Sequence, residues 1–384
     1  MKILLVAPQP FYQERGTPIA VRLLAETLCG AGHEVDLLTL HEGDDIEVPG
    51  LRLLRISRPP LVRDVPIGFS WKKLVCDAWL TVKMVSLVRA NDYRVLHAVE
   101  ESVFPAVVMT RSGRRKLVYD MDSVMADQLV EKWGALRLLG PIFRAVEGWA
   151  VRRADVVLPV CEHIAVKARS YGPRGRVSVL EDVPLPGGKE GQEADDLRIL
   201  FGIDRRFGLY VGNLEPYQGI DLLLEGVARA GEESPTVVIV GGDVKSVEKY
   251  RGKALELGVA KRVYFAGSRP VAQLEAYLRQ ADFLVSPRAK GVNTPMKIYS
   301  YLASGRPLLA TAIPSHTQVL DDSCALIVPP DPQGIGAGLV KLAEEVEFGE
   351  RLGAAAARVA EEKYSLDAYR EKLLGAYRSL EEDS

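Results

Sequence analysis

Cysteine and histidine are scarce in this chain, with four of the first and five of the second in 384 residues. Cys29, Cys76, Cys161 and Cys324 are scattered, with no Cys-x-x-Cys pair and no Cys/His cluster. That spacing excludes a disulfide frame and a zinc site, and suits reduced, buried thiols. No apolar run approaches the length of a bilayer span. The opening "MKILLVAPQP" has one lysine and a short apolar run ended by Pro8. It is too short for a signal peptide and reads as a first buried strand. Charge of one sign is lacking too: 49 basic and 51 acidic side chains leave a net charge of −2. A nucleic-acid partner would normally demand a far larger bias. No low-complexity segment occurs. These absences predict a cytoplasmic protein that binds no nucleic acid.

What is present is the composition of a globular chain, 47% apolar and 26% charged. The length exceeds one ordinary core and suits two domains. Short apolar runs alternate with helical periodicity: "KILLVA", "EVDLLTL", "LRLLRI", "RVLHAV", "KLVYDM", "DVVLPV" and "VSVL" in the first half. "FGLYVG", "TVVIVGG", "RVYFAG", "DFLVSP", "RPLLAT" and "CALIVPP" follow in the second. Such alternation implies parallel sheets covered on both faces, an α/β chain of two doubly wound, Rossmann-like domains. The stretch 181–196, rich in Pro, Gly and charge, separates them. The expected division is 1–184, a linker over 185–197, a second domain over 198–360, and a C-terminal helix over 361–384 that packs back on the first domain.

In doubly wound sheets, ligands bind beyond the carboxyl ends of the strands, where loops lead into helices. "PQPFYQERGTPIAV" passes through Gly16 to Thr17-Pro18 at a helix start. "LYVGNLEPYQGIDLLLEGV" carries Gly212 and Gly219 before another helix. "NTPMKIYSYLASGRP" reads as a loop entering a helix, with Thr294 as N-cap, Pro295 first in the helix, and Gly305 and Pro307 at its end. Helix starts offer free N–H groups and a positive end, which suits a diphosphate. Lys297 falls in the first turn of the third helix, where the dipole disfavours a cation. Either a bound anion shares its site, or the side chain points to solvent.

These motifs resemble a family. "KILLVAPQPFYQERGTPIAVRLLAETLCGAGHEVDLLT", "RRADVVLPVCEHI", "YVGNLEPYQGIDLLLEG", "VYFAGSRPVAQLEAYLRQADFLVSP" and "YLASGRPLLAT" are similar to the corresponding segments of GT-B glycosyltransferases of the retaining family four. The resemblance covers essentially the whole length. It implies two Rossmann-like domains with a cleft between them, and a nucleotide diphosphate sugar, carrying UDP or GDP, held mainly by the C-terminal domain. It also implies a carbohydrate or lipid-linked acceptor on the N-terminal domain, retention at the anomeric carbon, no required metal, and no cofactor beyond the sugar nucleotide. The chain departs from the family at the donor site. Asn213 and Gln218 stand where the family places an Arg and a Lys, and Ser300 and Val292 where it places two glutamates. Asp122 follows the "VYD" strand, where a histidine is usual.

The departures leave three readings: a glycosyltransferase with a rebuilt donor site, a non-catalytic sugar-nucleotide or glycan-binding relative, and a GT-B nucleotide-sugar epimerase. Lys297 restores one charge near the two lost and favours the first; no acid–base pair can be nominated for the epimerase. On that reading the donor-binding residues are Gly16, Thr17, Gly212, Asn213, Gln218, Gly219, Gly267, Thr294, Pro295, Met296, Lys297 and Ser300, with Lys297 as electrostatic stabiliser. Asp122 is the catalytic acceptor-side group, the alternative being a helix cap at Asp122 or Ser123. Glu100 and Glu101, after "VLHAV", bind acceptor hydroxyls or serve as first-turn acids on a helix. His97 in that run is expected to be a satisfied core histidine. Asp120 and Asp122 form an Asp-x-Asp, but alternation along a strand turns them apart, so no metal is expected. Residues 51–94 carry nine basic side chains against Asp64, Asp77 and Asp92. Within them Trp71, Leu74, Val75, Ala78 and Val82 form one helical stripe. Either the stripe faces the core, or residues 69–90 touch the inner face of a membrane.

Overall fold

The computed structural model describes residues 1–382 except Arg15, Ile67, Phe69, Ser112, Trp133 and 186–193. The chain divides into two compact units, Met1–Glu181 with Tyr369–Ser384, and Asp182–Ala368. Most of the expected linker, 186–193, lies outside the described residues. Beyond it Asp196 caps helix Leu197–Phe201 by accepting from the Arg198 and Ile199 N–H groups.

The first unit is built on a seven-stranded parallel sheet. Its strands are β1 (Lys2–Val6), β2 (Glu34–Thr39), β3 (Leu51–Arg55), β4 (Val95–Val99), β5 (Lys116–Met121), β6 (Val156–Pro159) and β7 (Arg176–Val177). They lie in the order β3-β2-β1-β4-β5-β6-β7. β4, "VLHAV", is buried along its whole length, as a strand with helices on both faces must be. The second unit has β8 (Phe207–Val211), β9 (Thr236–Val240), β10 (Val263–Gly267), β11 (Phe283–Ser286), β12 (Leu308–Thr311) and β13 (Leu326–Val328). Their order is β10-β9-β8-β11-β12-β13, again parallel. Both units are thus doubly wound α/β layers. Strand order reverses between β1 and β4 in one and between β8 and β11 in the other, and a crevice opens where it reverses.

Two expectations about helices need correction. The C-terminal segment is two helices, Val346–Tyr364 and Leu366–Glu382. Ser365 between them is extended, and its hydroxyl accepts from the Ala368 N–H at 3.2 Å, which starts a new helix. In helix Trp71–Ala90 the core face is Cys76, Leu80, Met84 and Val88, one residue per turn. The apolar stripe read from the sequence points outward instead, with Trp71 62% and Val82 71% exposed. A second stripe, narrower and lacking tryptophan, fits the sheet more closely.

The last helix completes the first unit. Leu373, Ala376, Tyr377 and Leu380 are buried, and the Tyr377 hydroxyl lies 2.7 Å from His97 Nδ1 in β4. His97 is only half satisfied: its Nε2 has no hydrogen-bond partner among the described residues, and the Asp120 carboxylate stands 3.7 Å away. Tyr377→Phe leaves the buried ring with neither nitrogen bonded. It is expected to cost about 1–3 kcal/mol in urea denaturation; wild-type stability in the variant would show that the bond contributes nothing.

Candidate functional site

At the crevice of the second sheet, the loops leaving β8 and β11 are bound to one another. Gly219, in the first loop, has φ +77°, and a Cβ there would stand 1.9 Å from the Pro287 carbonyl oxygen in the second. The Ala289 N–H donates to the Tyr217 carbonyl at 3.0 Å. Only glycine allows this approach, and it brings two cations to one place.

Lys297 is the first residue of helix Lys297–Ala303. Its Nζ donates to Gln218 Oε1 at 3.0 Å and lies 3.9 Å from the centroid of the Tyr210 ring. Gly212 (φ +150°) closes over it; a Cβ at Gly212 would come within 3.1 Å of Nζ. Part of the residue still meets solvent, but its amine is packed among these groups. Arg288, which the sequence reading missed, is 7% exposed. Its guanidinium sits 5.3 Å from the Tyr217 ring centroid and donates to the Lys290 carbonyl at 2.8 Å and to Asn293 Oδ1 at 3.2 Å. Burial pushes Lys297 well below the ordinary lysine range, and the Arg288 charge adds to the effect. Burial lowers Arg288 as well. Among the described residues no carboxylate pairs with either.

Behind the cations lies a buried polar group. His316 Nδ1 faces the Thr311 carbonyl at 2.9 Å, and its Nε2 faces Ser286 Oγ at 2.9 Å. Burial, Lys297 and Arg288 push His316 down to about 4, so it is neutral at pH 7. The Thr311 hydroxyl donates to the Arg288 carbonyl at 2.5 Å and holds that turn.

The remaining donor-side candidates divide. Gln218 joins Lys297. Asn213 is exposed, its Oδ1 accepting from the Glu215 N–H at 3.4 Å, and it does not reach the lysine. Ser300 is buried, and its hydroxyl accepts from the Leu185 N–H at 2.9 Å, a contact within the chain. Gly267 ends β10 at φ +72° and accepts from the Gly241 N–H at 2.8 Å. Thr294 is not the N-cap and Pro295 not the first helical residue. Met296 is the cap, and the Thr294 hydroxyl accepts from Gln318 Nε2 at 2.9 Å. The helix has seven residues, too short for a strong end field, so the site's positive character comes from side chains. Gly16 and Thr17 open helix Gly16–Gly30 in the first unit, and nothing lies within 4 Å of a Cβ at Gly16.

The first unit gathers acids at its own crevice. Glu100 leaves β4 with φ +51° and accepts from Ser123 Oγ at 3.0 Å. Withdrawal from water, followed by the neighbouring Asp122 and Glu101, raises its carboxyl well above the usual range. Glu101 is engaged in an ion pair with Lys73, which also bonds Asp77 at 2.7 Å. Burial pushes Asp77 up to about 6. Asp122 lies just past the end of β5. The Met125 N–H of helix Met125–Lys132 donates to the buried Glu147 at 2.8 Å.

Residues 15–181 match the family described as glycosyl transferase 4-like domain, and residues 205–345 the glycosyl transferases group 1 family. A D-inositol 3-phosphate glycosyltransferase of Corynebacterium efficiens is 29% identical over 184 residues, 44% of this chain. The aligned region spans 43% of that relative's length. Sucrose-phosphate synthase from Thermosynechococcus elongatus superposes with a TM-score of 0.79 at 21% identity, over 100% of both chains. Anabaena HepE in complex with UDP superposes with a TM-score of 0.76 at 15% identity, over 99% of this chain and 100% of that one. At these identities the structures establish the fold.

Because the Glu100 carboxyl is raised in the folded protein, its ionisation destabilises the fold as pH climbs above the unfolded value of 4.5. Glu100→Gln, which can still accept from Ser123, is expected to melt higher than wild type at pH 8 and to lose that advantage as pH falls towards 4.5. Equal melting temperatures at pH 8 would refute a strained carboxylate.

Proposed function

From the premise that this chain is a two-domain glycosyltransferase of the GT-B fold, we propose that it moves a sugar from a nucleoside diphosphate sugar to a carbohydrate or lipid-linked acceptor. The observation that carries the donor half is the pair Arg288 and Lys297 at the β8/β11 crevice, with no carboxylate paired to either among the described residues. A diphosphate supplies the missing charge. The HepE complex with UDP makes UDP the first carrier to try and GDP the second.

In the transfer, negative charge grows on the departing diphosphate oxygen. Lys297 and Arg288 stand ready to stabilise it, and because Gln218, Tyr210 and the Thr311 contact hold them in place, little reorganisation is needed. On the acceptor side Asp122 and Glu100 are the groups to orient an acceptor hydroxyl and take its hydrogen bond. This assignment favours transferase over a non-catalytic binder, since a site for sugar nucleotides alone needs no raised carboxyl in the other unit. The epimerase reading has no acid–base pair within the donor site. Retention, and transfer without metal, rest on the resemblance to family four.

The lipid-linked branch has its own support. Trp71, Leu74 and Val82 project from helix Trp71–Ala90, whose exposed cations are Lys83 and Arg89. Leu138, Ile142 and Val146 project from the segment leading into and along Gly140–Arg153, where Arg144, Arg152 and Arg153 are exposed while Glu147 is buried. Both faces therefore pair apolar side chains with positive charge, which fits an anionic lipid surface. Among the described residues no helix is long and apolar enough to cross a membrane; contact would be peripheral. Phe69, at the start of the 69–90 segment, lies outside the described residues.

Calorimetry with UDP, GDP, dTDP, ADP and CMP, with and without magnesium, tests the donor site. One diphosphate should bind, and Lys297→Ala should weaken it about 10- to 100-fold, the range of one hydrogen bond to a charged group. No binding by any of them would sink the donor assignment. Sedimentation with phosphatidylglycerol vesicles should show salt-sensitive binding that Trp71→Glu with Val82→Glu abolishes. Equal sedimentation with neutral vesicles would count against the anionic surface.

A further inference from the structure

Lys297 is in an unusual position for an ammonium group. The Pro216–Gln218 turn presents the neutral Gln218 amide to it. β8 presents the face of Tyr210 and the backbone of Gly212. The loop after β11 presents the Arg288 guanidinium. From its own helix comes Tyr301, whose hydroxyl accepts from the Val211 N–H at 2.7 Å. Behind them, helix Pro314–Thr317 presents His316, bonded on both ring nitrogens and uncharged. Burial holds Tyr210 and Tyr301 well above the ordinary phenol range, so they supply no negative charge. Every such neighbour among the described residues is therefore neutral or positive, and the charge acting on the amine is a cation of the same sign. An amine so placed is better off without its proton until an anion arrives.

Resting on the donor reading above, we infer that the empty site holds Lys297 as a neutral amine, and that binding of a sugar nucleotide takes up one proton onto it. The proton comes from solvent and becomes the third N–H of an ammonium facing the diphosphate. No bond within the donor is made or broken. The contact to Gln218 Oε1 survives in both states, because a neutral amine still has N–H groups to donate. The empty crevice then avoids holding two adjacent cations, and the second charge appears only when the diphosphate is there to meet it.

The sign follows from linkage. A bound diphosphate raises the proton affinity of the amine above its value in the empty site. Between the two values the occupied protein carries one more proton than the empty one, so affinity falls about tenfold per pH unit as pH rises. Below that interval the lysine is charged in both states and affinity is flat.

The experiment is calorimetric titration with UDP-glucose, and in parallel GDP-mannose, at several values from about pH 7 to 8.5, in buffers of different ionisation heat. A sugar nucleotide is used because its diphosphate diester has no group that titrates there. The wild-type protein should take up close to one proton per site somewhere in the range. Lys297→Arg, which stays protonated, should bind with no uptake and a flat pH profile. Lys297→Met should bind weakly, also without uptake. Binding with less than about a tenth of a proton taken up at every pH would overturn the inference and leave the donor site standing. Uptake that persists in Lys297→Arg would overturn it too, by placing the proton elsewhere. Absence of binding by both sugar nucleotides would remove the donor reading itself, and this inference with it. Side-chain ¹⁵N spectra of the unliganded protein at pH 8, with Lys297→Arg to assign the signal, give an independent check. An ammonium at Lys297 there contradicts the inference; an amine supports it.

Discussion

Two basic side chains drawn out of water into one crevice, with no carboxylate paired to either among the described residues, set the terms for the second unit. Arg288 and Lys297 have left bulk water, and as two cations they would repel one another, a combination that costs stability. Their surroundings keep them there nonetheless. Gly219 lets the β8 loop lie on the Pro287 carbonyl, Thr311 and His316 hold the turn at Arg288, and two tyrosine faces take the place of carboxylates. A histidine held neutral beneath the pair adds no charge of its own. Structures carry such unfavourable arrangements chiefly where a ligand of opposite charge will repay them.

On that view Gln218 is the acceptor that orients the lysine arriving from another loop. Ser300 ties down the chain at Leu185. The first unit complements this with acids at its own switch point, where Glu100 is held in a left-handed backbone conformation that only a well-supported turn tolerates.

Much of this was legible in the chain because parallel strands buried on both faces must read as unbroken apolar runs; "KILLVA" and "TVVIVGG" became β1 and β9. The crevice could be located by counting strands, and Lys297 stood out by its residue type. Other features were not legible. Helix Trp71–Ala90 carries two apolar stripes, and periodicity alone does not say which one the sheet will accept. Thr294-Pro295 has the chemistry of a helix start, yet the Gln318 side chain engages the threonine and the helix begins after it. Arg288 lies in no helix and matches no spacing rule. Its one sequence signal was a cation directly after Ser286-Pro287, where an apolar strand ends at the reversal of strand order. Tyr210 and His316 follow no spacing rule, and only their neighbours in space mark them.

The chain leaves the first unit after Glu181 and returns to it at Tyr369. In a protein made from the N-terminus onward, β4 with its His97 is therefore complete long before the helix that seals it exists. The ribosome must finish the entire second unit before Tyr377 can be delivered. Until then the first unit has an open apolar furrow where Leu373, Ala376 and Leu380 will sit. Its final folding step waits for synthesis of the second unit, so loss of the Leu366–Glu382 helix damages the unit that was synthesised first.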